Sequence, residues 1–267
     1  MHPVLVSFGP VVIFNFSVCL VLAWGVFSFL FWRALRASGT DEDKIFDLTF
    51  YATIVAFIAA RIGFVVTHWE LFADTWLKIF ALWVQPGLSL YGGILGGVGT
   101  LIYMSRNVKV RLGLVLDAVS HALPLAILIG LVGAFLDGAV VGKIADLPWS
   151  LRVMGLVGRR HPVALYEIVA LVLVMLALSA LERRAARNKK PYGIVGVWFF
   201  MLFAAVMFIL ELFTESRVYW TLTANQWVLI AIFAESLGAM YVRGGGRESV
   251  RPLIHKIYAK FSNKRSV

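Results

Sequence analysis

Seven stretches of the chain reach or approach the roughly 20 consecutive apolar residues that a helix needs to cross the hydrocarbon core of a bilayer. They fall at residues 11–32, 45–67, 88–104, 114–136, 162–181, 194–213 and 226–242. Such runs leave no room for a large soluble domain among the 267 residues. A hydrophobic share of 60%, a charged share of 15% and a mean hydropathy of +0.84 exclude an ordinary globular chain as well. The expected fold class is therefore an all-α polytopic membrane protein with about seven transmembrane helices. Residues 1–242 form its membrane domain and 243–267 a basic tail.

The net charge of +10 invites a nucleic-acid reading, but the basic residues sit in alternate loops. The first, third and fifth loops and the tail hold 18 of the 25 Lys and Arg, while the N-terminus and the remaining loops hold six. By the positive-inside rule this predicts an N-terminus outside and a C-terminus in the cytoplasm of a multi-pass bacterial inner-membrane protein. Anionic headgroups, rather than nucleic acid, are then the partner of the excess charge. The N-terminal MHPVLVSFGP has no basic leader region, so the first run reads as an uncleaved span. Cys19, the single cysteine, reads as a buried structural thiol. His2, His68, His121, His161 and His255 are dispersed without ligand spacing, so no metal is expected. No cofactor is expected either.

Between the second and third runs, residues 68–87 (HWELFADTWLKIFALWVQPG) are aromatic, weakly charged and closed by Pro-Gly. This predicts an amphipathic helix lying in the outer interface, where tryptophan is favoured. The third run opens SLYGGILGGVG, whose small-xxx-small spacing suits either a tight helix seam or a ligand-facing surface.

Ionisable groups at membrane depth are costly and mark either buried pairs or functional sites. Asp47, Arg61, Asp117, His121, Asp137, Glu167 and Glu211 lie at or near that depth. Asp117 and His121 share a helix face, as a proton-handling pair or as a structural hydrogen bond. Arg61 reads as a snorkelling or salt-bridged residue, with Glu211 as one partner, or as a clamp for a lipid phosphate. Asp137 and Lys143 read as an outer-loop ion pair or as polar groups of a site. In GRRHPVALYEI, residues 158–168, Pro162 predicts a helix start, with Arg159 and Arg160 in the headgroup layer and Tyr166 and Glu167 one and a half turns in.

The same stretch resembles a family signature. RRHPVALYE is similar to the RHP(S/T)QLYE motif of the bacterial prolipoprotein diacylglyceryl transferases. FGPVVIFNF resembles that family's opening motif, ARIGF its GRIGY and SLYGGILGG its SFHGGLIG. The fourth run, from Asp117 through Gly133 to Gly142, follows the family's R(L/I)GNFxNxExxG segment without a gap, and FILELFTE and NQW follow in order.

The resemblance implies seven spans and transfer of diacylglyceryl from phosphatidylglycerol to the lipobox cysteine of a prolipoprotein. It implies catalytic positions at Tyr91, His161 and Glu211, and lipid or phosphate contacts at Arg61, Arg160, Tyr166, Glu167 and Asp137. The chain departs from the pattern in one direction. The family's third-span histidine is Tyr91, its signature arginine, asparagine and glutamate fall on Leu131, Ala134 and Ala139, and its sixth-span tyrosine and arginines on Phe203, Met207 and Thr214. Its N-terminal tyrosine is Phe16. Loss of one oxyanion-type donor commonly costs about two to three decades of rate. The expectation is a catalytically degraded relative that binds a phosphatidylglycerol-like phospholipid, a prolipoprotein signal peptide or another membrane protein. The alternatives are an active transferase with a rearranged site, or an enzyme acting on another lipid or thiol.

Overall fold

The computed structural model describes residues 4–8, 11–153 and 155–243. The basic tail, His2, His255 and the Gly-Pro of the opening motif lie outside these residues. Helices dominate: α1 (Asn15–Ala37), α2 (Glu42–Thr67), α3 (Leu90–Asn107), α4 (Leu112–Asp137), α5 (Val163–Arg187), α6 (Ile194–Leu210) and α7 (Ala224–Arg243). A short hairpin, β1 (Val4–Phe8) and β2 (Val11–Phe14), precedes them. The first apolar run therefore begins as a strand, and its helix starts at Asn15 and continues five residues beyond the expected end.

Among the described residues, five helices are long and apolar enough to cross a membrane: α1, α2, α4, α5, and α6 with the single 3₁₀ turn Glu211–Phe213 that extends it. Of the seven expected spans, the third and the seventh form helices but fall short on that measure. Glycines and polar residues dilute α3, and Asn225, Gln226, Glu235 and Ser236 dilute α7.

The helices pack chiefly as α1 on α4, α2 on α3 and α6 on α7, with α5 bridging α4 and α6. The α2–α3 seam follows from the glycine spacing. A Cβ on Gly96 would lie 2.4 Å from the Cβ of Ala59, and one on Gly92 would lie 2.6 Å from the Ala59 carbonyl oxygen. Only hydrogen at these positions lets the two backbones meet, which supports the tight-seam reading of the motif. Ser89 starts α3 by accepting the Gly92 N–H through Oγ (3.1 Å) and donating its own N–H to Ala60 (2.9 Å).

The expected interfacial helix at 68–87 is absent. The segment is instead two single 3₁₀ turns, Trp69–Leu71 and Trp76–Ile79, joined by irregular chain. A continuous helix would bond its carbonyls internally, whereas those of Lys78, Ile79 and Gly87 turn inward to Arg61. The aromatic face survives without the helix, for Trp69, Trp76, Phe80 and Trp83 are all exposed.

At the C-terminus of α4, Gly138 takes the left-handed conformation (φ 68°), and the Ala139 N–H returns to the Ala134 carbonyl (2.9 Å). The turn redirects the chain into an extended segment around residues 141–145. That segment bonds on one side to 159–161, through Ala145 to Arg159 and His161 to Lys143. On the other side it bonds to 213–215, through Lys143 to Phe213 and Glu215 to Val141. This small irregular patch, with β3 (Leu151–Arg152) pairing β4 (Arg159–Arg160) beside it, ties together the ends of α4, α5 and α6.

Replacing Gly96 by valine is expected to destabilise the protein by about 1–3 kcal/mol through overpacking. Gly99→Ala, where the added carbon meets nothing within 4 Å, should leave stability unchanged or slightly raised. Thermal unfolding in detergent distinguishes the two, and equal midpoints for both variants would refute the seam.

Candidate functional site

Arg160 sits in the extended patch and is 7% exposed. Its Nη1 donates to the Gly142 carbonyl (3.0 Å) and pairs with the Glu215 carboxylate, while its Nε–H has no partner among the described residues. His161 follows, with Nδ1 at 3.2 Å from the Tyr166 hydroxyl, which also accepts the indole N–H of Trp149 (2.8 Å). Phe213 packs against both rings, at centroid distances of 5.2 Å to His161 and 6.2 Å to Tyr166. Pro162 caps α5, and Arg160, His161 and the first residues of α5 wall a small pocket whose other side is Phe135, Val140, Leu151 and Val153.

Deeper in the bundle, Tyr91, Glu167 and Glu211 are buried and close enough for their charges to interact. Glu211 Oε1 accepts from the Thr223 hydroxyl and from the Asn225 amide, both at 3.0 Å. The Glu167 carboxylate makes no hydrogen bond to a described residue, and neither glutamate has a cationic partner there. Tyr91, Leu131, Phe203 and Met207 belong to a single buried hydrophobic cluster, and Ala134 is buried as well. Of the positions that resemblance singled out for missing polar groups, these five are therefore packed in the apolar interior of the bundle.

Several expected partnerships do not form. Arg61 and Glu211 are not paired. All three Arg61 nitrogens donate to backbone carbonyls, Nε to Ile79 (2.8 Å), Nη1 to Gly87 (3.0 Å) and Nη2 to Lys78 (2.9 Å). The guanidinium also lies over the rings of Phe64 and Phe72, at 5.8 and 5.1 Å. It is buried beneath the aromatic loop as an organiser of that loop's backbone. Asp137 does not pair with Lys143; it accepts from the Phe16 backbone, and its Oδ1 is buried without a partner among the described residues.

Asp117 and His121 do not join their side chains, although His121 Nδ1 bonds the Asp117 carbonyl oxygen (2.6 Å). Asp117 Oδ2 and Oδ1 accept the N–H groups of Gly193 (2.6 Å) and Gly196 (2.9 Å), which caps α6 from a neighbouring helix. His121 Nε2 meets Glu182 of α5 at 3.0 Å. The structural alternative for this pair accounts for both residues.

Sequence reasoning did not single out Thr223, Asn225 and Glu215 as participants. Thr223 carried a readable signal: Thr-Ala-Asn-Gln before an apolar run is a capping box. The structure forms it, with the Gln226 N–H donating to the Thr223 hydroxyl (3.1 Å) and the Thr223 N–H to the Gln226 amide oxygen (3.0 Å). Glu215 carried none, because it meets Arg160 across 55 residues.

A family model described as prolipoprotein diacylglyceryl transferase matches residues 3–242. Among similar proteins, the phosphatidylglycerol–prolipoprotein diacylglyceryl transferase of Synechococcus elongatus is 30% identical over 94% of this chain and 92% of its own length. The protein of the same name from Photobacterium profundum is 29% identical over 80% of this chain and 81% of its own. That of a Wolbachia from Brugia malayi is 29% identical over 89% and 92%.

Thr223→Ala removes both a helix cap and a donor to buried Glu211, and should cost about 1–2 kcal/mol in unfolding. Thr223→Ser keeps the hydroxyl and should recover most of that loss. An alanine variant as stable as the parent would show that neither bond contributes.

Proposed function

Because the chain belongs to the prolipoprotein diacylglyceryl transferase family, we propose that it is a seven-span protein of the bacterial cytoplasmic membrane whose inherited site holds lipid without transferring it. In this reading the N-terminus lies outside, residues 1–242 form the membrane domain and 243–267 a basic cytoplasmic tail. α3 and α7 cross as the third and seventh spans, sheltered in part by the helices they pack on. The partners suggested by the names of its relatives are phosphatidylglycerol and prolipoprotein.

The observation that carries the proposal is that Tyr91, Leu131, Phe203 and Met207 all belong to the packed hydrophobic core of the bundle. Moving a diacylglyceryl group from a phosphate ester to a thiol requires a base for the thiol proton and cationic donors for the departing phosphate. Of the two buried arginines, Arg61 is engaged with loop carbonyls and Arg160 is ion-paired with Glu215. The deeper polar groups, Glu167 and Glu211, are carboxylates, which would raise rather than lower the energy of a developing phosphate charge. Arg160, His161 and Tyr166 contribute the surviving lipid-facing end of the site, Glu167 and Glu211 its buried end, and Asp137 a polar group at the α1–α4 junction. Arg61 acts at one remove, by holding the loop over this end of the bundle.

A second reading rests on one contact. His161, hydrogen-bonded to Tyr166 and adjacent to Arg160, places a base beside a cation. An active transferase would use that pair.

Reconstitution with phosphatidylglycerol and a lipobox peptide separates the two. The expected result is no thioether-linked peptide above the protein-free background by mass spectrometry, with lipid bound nonetheless. Product that disappears in His161→Ala would establish the second reading and end the first.

A further inference from the structure

We infer that the end of the bundle opposite Arg160 carries an interaction surface for a lipid headgroup bearing two phosphates, built by the α3–α4 and α5–α6 connections. This surface is independent of the lipid-holding site, for α5 runs from Val163 to Arg187 and the two stand at its opposite ends. The α3–α4 connection and its flank present Arg106, Lys109 and Arg111, all exposed. The α5–α6 connection and the last turns of α5 present Arg183, Arg184, Arg187, Lys189 and Lys190, exposed as well. The connections lie side by side: a Cβ on Gly113, at the start of α4, would be 2.5 Å from the Tyr192 carbonyl oxygen, and Asp117 one turn further accepts the Gly193 N–H. Among the described residues, none of these basic side chains is paired with a carboxylate. Asp117 is committed to the amides of α6 and Glu182 to His121.

Membrane topology alone does not account for this excess. The α1–α2 connection, at the same end of the bundle, has Arg33, Arg36 and Lys44, yet it balances them with Asp41, Glu42 and Asp43. Arg36 pairs there with Glu42 (3.2 Å) and Lys44 with Asp41 (2.6 Å). The backbone differs too. α1, α3 and α5 close with the same turn, in which one N–H returns to the carbonyl three residues back and the next N–H to the carbonyl five back: Gly39 then Thr40, Lys109 then Val110, Lys189 then Lys190. The first residue of each pair is left-handed, with φ of 81°, 57° and 47°. Glycine holds that conformation without strain and lysine does not. The neutral connection uses the glycine, and the two basic ones put an unpaired lysine in its place. Complementing the helix dipoles does not require those lysines, since Arg106, Arg184 and Arg187 already stand in the last turns.

A lipid fits this surface better than a soluble anion because the cations continue exposed apolar faces. Tyr103 stands one turn before Arg106 on α3 and Leu176 two turns before Arg183 on α5, and both are exposed. A headgroup at that level meets lysine and arginine while its acyl chains lie along α3 and α5. Two phosphates on one headgroup match cations from two neighbouring connections, where a single phosphate engages one.

The purified full-length chain, delipidated in a non-ionic detergent, is titrated by native mass spectrometry with tetraoleoyl-cardiolipin, dioleoyl-phosphatidylglycerol, pyrophosphate and a single-stranded oligonucleotide. Cardiolipin should bind about tenfold more tightly than phosphatidylglycerol. Lys109→Gly combined with Lys189→Gly should weaken cardiolipin binding by about tenfold or more, roughly fivefold per lysine. The unfolding midpoint of that variant should hold or rise, because the strain is relieved. Arg183→Gln with Arg187→Gln leaves both turns untouched and should weaken binding in the same way. Arg36→Gln with Lys44→Gln removes the same charge from the balanced connection and should change nothing. Equal loss in that control, or cardiolipin binding unaltered in both patch variants, would overturn the inference. So would phosphatidylglycerol bound as tightly as cardiolipin, or pyrophosphate or the oligonucleotide bound in preference to it. Thioether formation reads the other end of the bundle, so an active transferase would end the lipid-holding reading and leave this surface standing.

Discussion

A chain in lipid must satisfy its own polar backbone groups, because the bilayer core offers no water to do it. The architecture described above is largely a set of answers to that constraint, most of them supplied by side chains from elsewhere in the sequence. Asp117 of α4 caps the amides that open α6. Thr223 and Gln226 close the start of α7 on each other, and Thr223 extends the bond to Glu211. Arg61 of α2 gathers three carbonyls from a loop that forms no helix of its own. Where helices approach backbone to backbone, as α3 does on α2, the glycines carry the contact and no polar group is required.

That constraint sorts the ionisable residues by role. Arg61, Asp117 and His121 have backbone or interhelical duties that occupy them, so their presence at membrane depth needs no ligand to explain it. Arg160, His161, Tyr166, Glu167 and Glu211 are different. They lie where the extended patch joins α4, α5 and α6, and several of their polar atoms face partly apolar surroundings with few protein partners. Tyr91, Leu131, Phe203 and Met207 belong to the packed apolar core. Under the lipid-holding proposal, apolar side chains at these positions stabilise the bundle, since an unfilled polar cavity is expensive to maintain.

Much of this was legible in the chain itself. The seven α-helices of the described residues fall on the seven apolar runs, because run length and hydropathy mark segments that can span a bilayer. The small-xxx-small spacing of α3 allows a tight seam or a ligand-facing surface, and the structure forms the seam; Pro162 marks the start of α5. Positions 68–87 misled for a physical reason: aromatic amphipathy reports that a segment meets the interface but not that its backbone is helical. The hydrogen bonds to Arg61 chose a different path. Long-range partnerships such as Arg160 with Glu215 and Asp117 with the α6 amides left no local pattern. The Thr223–Gln226 capping box did leave one, in plain spacing, and could have been read.

The proposal depends on Tyr91, Leu131, Phe203 and Met207 being tightly packed apolar core positions. Its most direct test is the unfolding midpoint of Leu131→Arg, which places a cation at a buried core position. The account predicts a loss of several kcal/mol, as expected for about the cost of an unpaired buried charge, and a protein that expresses poorly or unfolds early. A Leu131→Arg protein as stable as the parent would mean that a hydrated, accommodating chamber lies there, and the account would be wrong.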